Sequence, residues 1–512
     1  MPLLGSIIKG VIEASDLLMT SGDAAKEQEE VLKELLATAQ QTEFGKKYQF
    51  RDILESNAVE RSFKDRVPYF DYDALKQAWW VNVQKGEENI TWPGKPDYFA
   101  LSSGTTGHES KRIPVTDAML KSIKKAGVDQ VLALRNFDLP VDFFEKEILM
   151  LGSSTDLDRK DHALEGEISG ISASNIPFWF QGYYKPGKDI SQISDWDERV
   201  LKIAERAPHW DIGALSGIPS WMELMLKKVI DYHQLNHIHD IWPNLQVYTS
   251  GGVAFGPYEK SFNALLGKPL TVIDTYLASE GFLAFQERPD TDAMKLVTNN
   301  GIYFEFVPFK QEYIHSDGSL SQDAPSLNLN EVQKDQDYVV VISTVAGAWR
   351  YLIGDTIAFT DVDRAEIKIT GRTKFFLNTV GSQLSVNKLN DAIQQMEDDF
   401  NVKIPEYTLS AVRIDGAYHH HWYLGSTGQL NAHQLSEALD RFLQGANKNY
   451  KVARGKALKG VKVSVVPPEV FHGWNENRKK KGGQVKMERV MGEERFKEWE
   501  SYVDTQGKEV PY

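Results

Sequence analysis

The 512-residue chain contains no cysteine. Disulfides, thiolate nucleophiles, Cys-ligated zinc and enzyme-bound thioesters are therefore excluded, and a reducing, cytoplasmic setting is the expectation. Positive charge is scarce: 58 Lys and Arg stand against 72 Asp and Glu, a formal charge of −14. A general nucleic-acid or anionic-membrane binder needs a basic face, so that class is excluded, while a local basic pocket is not. No uninterrupted apolar run is long enough to span a bilayer. The opening MPLLGSIIKGVIEASDLL is not read as a signal peptide, because Lys9 and Glu13 interrupt it and no small-residue cleavage site follows. Its Leu4, Ile7, Ile8, Val11 and Ile12 recur at helical spacing and predict an amphipathic packing helix.

What is present is ordinary globular composition, 41% hydrophobic and 25% charged, in a chain too long for one compact core. Val31, Leu32, Leu35, Leu36 and Ala39 share one helical face, and Gly45 stands where a C-terminal cap is expected. Short apolar runs at 147–152, 245–250 and 270–274 each end in Gly, Ser or Asp. They predict buried strands of an α/β sheet that present polar groups at their carboxyl ends, where such sheets bind ligands. IYFEFVPF and DYVVVISTV predict two further strands.

After Gly371 the texture changes. LNDAIQQMEDDF and LSEALDRFL predict helices, and YTLSAVRI, HHHWYLG and VKVSVV predict strands. The fold class is thus α/β, with a large N-terminal domain over 1–373 and a smaller α+β domain over 374–512, divided within GRTK. His233, His237 and Asp240, like His419, His420 and His421, read as packing residues, since no activating partner accompanies them. RKKK at 478–481 reads as a solvated loop.

The segment LSSGTTGHESKRIPVT, 101–116, raises the question of chemistry. A P-loop is ruled out, because the sixth positions from Gly104 and Gly107 are Glu109 and Arg112. The dinucleotide fingerprint fails as well, since its glycine spacing is missing. What remains is a hydroxyl-rich hairpin: Ser102, Ser103, Thr105 and Thr106 offer donors, the glycines allow close approach, and Lys111 adds charge. Taken alone, this stretch reads equally well as a solvated turn.

It does not stand alone. DTYLASEGF (274–282), WRYLIGDTIAF (349–359), ITGRTKFFLNTVGSQLS (369–385) and GGQVKMER (482–489) follow in order. Together the five segments resemble the adenylate-forming superfamily and, more closely, the Gretchen Hagen family of acyl-acid amido synthetases. The loop's SSGTTG with Lys111, Ile113, Pro114 and Thr116, the GIPSW and WPGKPDYFA segments and the Q-x-K ending carry that closer likeness.

The resemblance implies an ATP- and Mg²⁺-dependent ligase. It would adenylate a small carboxylic acid and pass the acyl group to an amine, an amino acid being expected, giving an amide, AMP and pyrophosphate. Ser102, Ser103, Thr105, Thr106 and Lys111 would hold the phosphates. Tyr276 would lie against adenine, Ser279 would stand beside it, and Glu280 would ligate Mg²⁺. Asp355 would accept from both ribose hydroxyls, and Arg372 would hold ribose or phosphate. Lys486 would be the catalytic lysine on a mobile small domain. Gly251 and Gly252 would line the adenine pocket through their backbone or form a tight turn. Ala278 departs from the family's Y-x-S-S-E and removes one hydroxyl, and Glu488 stands where the family has proline. Two other readings stay open: transfer to coenzyme A, and a non-catalytic nucleotide-binding protein.

Overall fold

The computed structural model describes residues 23–506 except 103–110, 177–180, 253–254, 316–317, 374–383, 385, 415–416, 429, 448–449, 452–453, 455–457 and 477–486. The expected helix over 4–12, the basic run at 478–481, and Ser103, Thr105, Thr106 and Lys486 lie outside the described residues.

Strands are numbered along the chain. β1 (Tyr98–Ser102) and β2 (Lys111–Val115) flank the hydroxyl-rich loop, and β3 (Glu147–Leu151), β4 (Asp158–Lys160) and β5 (Ala163–Gly166) follow. β6 (Tyr184–Lys185), β7 (Ile212–Gly217), β8 (Val247–Gly251) and β9 (Thr271–Ala278) come next. Then come β10 (Gly281–Phe285), β11 (Met294–Leu296), β12 (Ile302–Pro308), β13 (Asp337–Thr344), β14 (Tyr351–Asp361) and β15 (Glu366–Arg372). β16 (Glu406–Ile414), β17 (Ala417–Gly425) and β18 (Leu458–Val466) complete the series.

Three sheets result. The largest runs β12-β13-β14-β15-β11-β10-β9-β8-β7-β3-β6. Its β6, β3, β7, β8 and β9 are parallel, and the remaining pairs are antiparallel. β3 lies between β6 and β7, so the chain leaves it to one side and then crosses to the other. That reversal opens a crevice at the carboxyl ends of the strands. A smaller sheet, β2-β1-β5-β4, places the hydroxyl-rich loop between two paired ends, Ser102 opposite Lys111.

The apolar strands are covered on both faces, which is why β12 and β13 read as near-continuous hydrophobic runs. An aromatic cluster of Phe44, Phe50 and Trp349 pins the N-terminal helices to this sheet, with Phe44 and Phe50 centroids 5.7 and 4.7 Å from the Trp349 ring. Gly45 does not cap the first helix. The helix Ala24–Ala39 ends at Gln40, and Gly45 sits in the next helix, Glu43–Lys47. A Cβ there would come 2.2 Å from the Ala39 carbonyl, so close approach selects this glycine.

The third sheet, β16-β17-β18, carries the helices Val386–Phe400 and Ala432–Ala446. They share a core of Leu389, Met396, Trp422, Leu435 and Leu439. Of the histidines on β17, His420 packs against Tyr450, and His421 faces Ser464 and Glu500 on the opposite side.

Candidate active site

DTYLASEGF folds as a tight hairpin: β9 ends at Ala278, Ser279 and Glu280 make the turn, and Gly281 opens β10 opposite Ala278. A two-residue turn exposes backbone but leaves room to aim one side chain inward. Glu280 is that side chain, 7% exposed. Burial raises its pKa, Asp355 adds to the rise, and Lys111, Arg372 and the Tyr351 hydroxyl oppose it. Ser279 is partly buried beside it.

Asp355 lies within β14 and not in a turn, as its position after Gly354 suggests; Gly354 takes φ +92° and β14's pairing with β15 shifts register just beyond Asp355. The carboxylate accepts from the Tyr276 phenol on one oxygen and from Arg372 Nε at 2.7 Å on the other. Arg372 stands directly opposite, at the end of β15. Arg372's pKa is raised, first by Asp355. Tyr276 is buried, and burial followed by Asp355 pushes its phenol well up. The sheet therefore curls until β9 and β14, four strands apart, share one polar constellation.

Lys111 completes it from the other sheet. Its ammonium lies 5.4 Å from the centre of the Tyr72 ring, whose hydroxyl accepts from the Arg112 backbone at 2.9 Å. The Lys111 charge also acts on Glu280 in the β9–β10 turn, holding down the rise in its pKa. Gly251 ends β8, where a Cβ would come 2.9 Å from Thr275 Oγ1, a hydroxyl that donates to the Ser250 carbonyl at 2.8 Å. Gly252 follows with φ +78°.

Of the residues singled out in the sequence, Lys111, Tyr276, Glu280, Asp355 and Arg372 converge, and Ser102, Gly251, Gly252 and Ser279 border the elements that carry them. Tyr72 and Tyr351 were not anticipated. Tyr351 heads the strand that bears Asp355, and its aromatic hydroxyl was the available signal. His237 instead pairs with Asp240 at 3.2 Å to cap a short helical turn, and His233 bonds the Ala204 carbonyl at 2.8 Å.

A parallel half-sheet joined to an antiparallel half, with a three-stranded α+β unit after it, is a fold already seen in solved structures. A 2-hydroxyisobutyryl-CoA ligase in its postadenylation state shares it with TM-score 0.54 and 15% identity, over 93% of this chain and 91% of that one.

The chain belongs to the GH3 family, the Gretchen Hagen group: family descriptions for its N-terminal, central and C-terminal domains match residues 14–202, 295–372 and 387–495. An indole-3-acetic acid-amido synthetase of Arabidopsis thaliana is 25% identical over 90% of this chain and 88% of its own length. One from Oryza sativa subsp. indica is also 25% identical, and there this chain spans 44% of the relative's length. The structure of an acyl acid amido synthetase, GH3.15, superimposes with TM-score 0.75 at 15% identity, over 97% of this chain and 96% of that one.

Proposed function

We propose that the protein is an ATP-dependent acyl-acid amido synthetase that adenylates a small carboxylic acid and transfers the acyl group to an amino acid. The observation that carries the reading is the Tyr276–Asp355–Arg372 constellation beside the buried Glu280 and Lys111. Two acceptor oxygens on Asp355 suit a vicinal diol, and Arg372 and Lys111 are cations placed for phosphate oxygens.

Making an amide from a carboxylate requires a better leaving group. The acid's oxygen attacks the α-phosphate of ATP, pyrophosphate departs, and the amine then attacks the acyl-adenylate and expels AMP. No protein nucleophile is needed, which accords with a chain lacking cysteine. A buried carboxylate whose proton affinity is raised by burial is stabilised in its ionised form by a hard cation, so Glu280 fits Mg²⁺. Glu280 would hold such an ion, which would supply positive charge to offset that of the phosphates. Tyr276 packs beside the nucleotide, Arg372 keeps Asp355 oriented, and Ser102, Ser103, Thr105 and Thr106 contribute donors from the loop. In this reading the chain divides at 373/374, and Lys486 reaches the α-phosphate from the smaller domain. Among the described residues no helix is long and apolar enough to cross a membrane.

The test is pyrophosphate release from ATP with a panel of carboxylic acids that includes indole-3-acetic acid, with and without L-amino acids or coenzyme A. Acid-dependent pyrophosphate followed by amide supports the proposal. A thioester product reassigns the acceptor, and no acid-dependent pyrophosphate from any mixture reduces the protein to a nucleotide binder.

A further inference from the structure

The hydroxyl-rich loop returns to the small sheet through two adjacent cations, Lys111 and Arg112, and the pleat of β2 sends them to opposite faces. Lys111 stands opposite Ser102, and Arg112 stands opposite Leu101. Arg112 therefore shares its face with Phe99, which is fully buried on β1 and pairs with Glu165 on β5. The Arg112 guanidinium lies 4.8 Å from the centre of the Phe99 ring and closes an ion pair with the Glu165 carboxylate. One side chain thus bridges β2, β1 and β5. The pair is shielded from water, with the side chains of Arg112 and Glu165 16% and 7% exposed.

A buried ion pair adds little net stability, because desolvation offsets the attraction and apolar residues of similar volume often serve as well. What it supplies is orientation, since either charge left alone is costly. Orientation matters at this end of β2. The far end is fixed by Thr116, whose hydroxyl donates to the Val345 carbonyl at 2.7 Å and accepts from the Met119 amide at 3.1 Å. The joining sequence SGTTGHES at the loop end has two glycines and no proline, a composition that specifies register weakly. A shift of one residue there would exchange Lys111 and Arg112 between the two faces. The Arg112 backbone is held as well: its N–H donates to the Tyr72 hydroxyl at 2.9 Å, and its carbonyl accepts from Gln84 Nε2 at 3.4 Å. The same Tyr72 ring has the Lys111 ammonium 5.4 Å from its centre.

We propose that Arg112 and Glu165 are a positioning pair for the nucleotide site: Glu165 holds Arg112 on the Phe99 face of the small sheet and so leaves Lys111 as the cation that meets phosphate. In this role neither side chain contacts the nucleotide. The proposal rests on the nucleotide-binding part of the reading above and adds the reason why Lys111, and not its neighbour, faces the site. Arginine carries a planar fork that can stack on Phe99 while it reaches Glu165, whereas lysine carries a compact charge on a flexible stem. The face bearing Phe99 and Glu165 therefore selects Arg112. Exchange of the two would set the wrong cation geometry against the phosphate oxygens.

The experiment is titration calorimetry of ATP, without acyl acid, on the full chain and its variants, with thermal melting to confirm folding. Lys111→Met is expected to raise the ATP Kd about tenfold or more, as loss of a charge-assisted contact does. Glu165→Gln keeps the volume and releases Arg112, and it should raise Kd by a similar factor. In the Lys111→Met background, Glu165→Gln should change Kd by less than about twofold, since the charge it positions is already gone. Glu165→Asp keeps the charge and should recover part of the affinity. If Glu165→Gln does not fold, Arg112→Lys carries the same cycle: it loses the fork and should weaken ATP only while Lys111 is present. A Kd within about twofold of wild type in Glu165→Gln, or in Lys111→Met, overturns the proposal. So does a loss in Glu165→Gln that multiplies fully with that of Lys111→Met, which marks a general effect on the fold. The readout needs no turnover. Absence of acid-dependent pyrophosphate removes the synthetase reading and leaves the pair to be decided by the cycle, whereas no ATP binding by the wild type removes both.

Discussion

Asp355 is held by two donors of different kinds, a phenol and a guanidinium, so its charge matters more than its shape. Asp355→Asn keeps the volume and removes the charge that Arg372 neutralises. It should raise the KM for ATP about tenfold or more, consistent with a charge-assisted hydrogen bond, with unchanged circular dichroism. Steady-state pyrophosphate release against ATP concentration reads this, and an unchanged KM removes Asp355 from the nucleotide site. Glu280 gives a pH signature. Burial sets its pKa above the usual 4.5, and Lys111 restrains the rise. Adenylation that needs the ionised carboxylate therefore falls as pH drops through that raised value. Lys111→Met should move the acid limb of the pH–rate profile to higher pH, since the restraining charge is gone. An acid limb that stays put or moves lower shows that Glu280 does not set it.

β17 illustrates how a strand sorts adjacent identical residues onto opposite faces. His420 is fully buried, neither ring nitrogen has a hydrogen-bond partner, and its ring lies 5.6 Å from that of Tyr450. Asp440, Arg454 and His419 are the charged or titratable groups that act on it, Asp440 being paired with Arg454 at 2.6 Å. Burial depresses its pKa from 6.5 to about 3. The folded state thus resists a proton that the unfolded chain accepts below pH 6.5. Stability is fully present above pH 6.5 and is lost as pH falls toward 3. Between pH 7 and pH 5 this amounts to about 2 kcal/mol. His420→Phe should flatten that part of the dependence in urea titrations at the two pH values, with any loss at pH 7 set by packing. A variant that loses as much stability as the wild type between pH 7 and pH 5 assigns the effect to other groups.

At the scale of the molecule, the segment after Lys486 is tied down firmly. Leu409 donates to the Arg489 carbonyl and Met491 donates to the Leu409 carbonyl, both at 2.9 Å, which adds the segment to the edge of β16. Arg489 bonds Glu406 at 2.6 Å and the Tyr407 carbonyl at 3.0 Å. Tyr258, from the large sheet's side of the chain, acts on Arg489 as well. Glu488, where the family has proline, is partly buried, its side chain 20% exposed, and burial pushes its carboxyl up to about 7. We propose that this anchored segment delivers Lys486 to the α-phosphate only for adenylation. Lys486→Ala should lower acyl-adenylate formation at least about 100-fold, in line with loss of a charge that stabilises a transition state, while transfer from pre-made acyl-adenylate stays within a few-fold. Single-turnover measurement of both halves decides it, and equal losses in the two discard the assignment.

The periodicity of β3, β8, β9, β12 and β13, the α+β unit after Gly371, and the order of the motifs were all written in the sequence. Each is a local pattern, set by the two-residue repeat of a strand or the side-chain chemistry of a short loop. The list of candidate residues was legible in the same way, because Asp355, Glu280 and Tyr276 announce themselves by type and neighbour. Their partnership was not. Tyr276 meets Asp355 only because strands four apart in the sheet order come together, and Lys111, whose charge acts on Glu280, belongs to a second sheet. Gly45 was misread as a cap because the carbonyl it approaches belongs to another helix. Local free energies choose the elements, and long-range packing decides which polar groups are left facing one another.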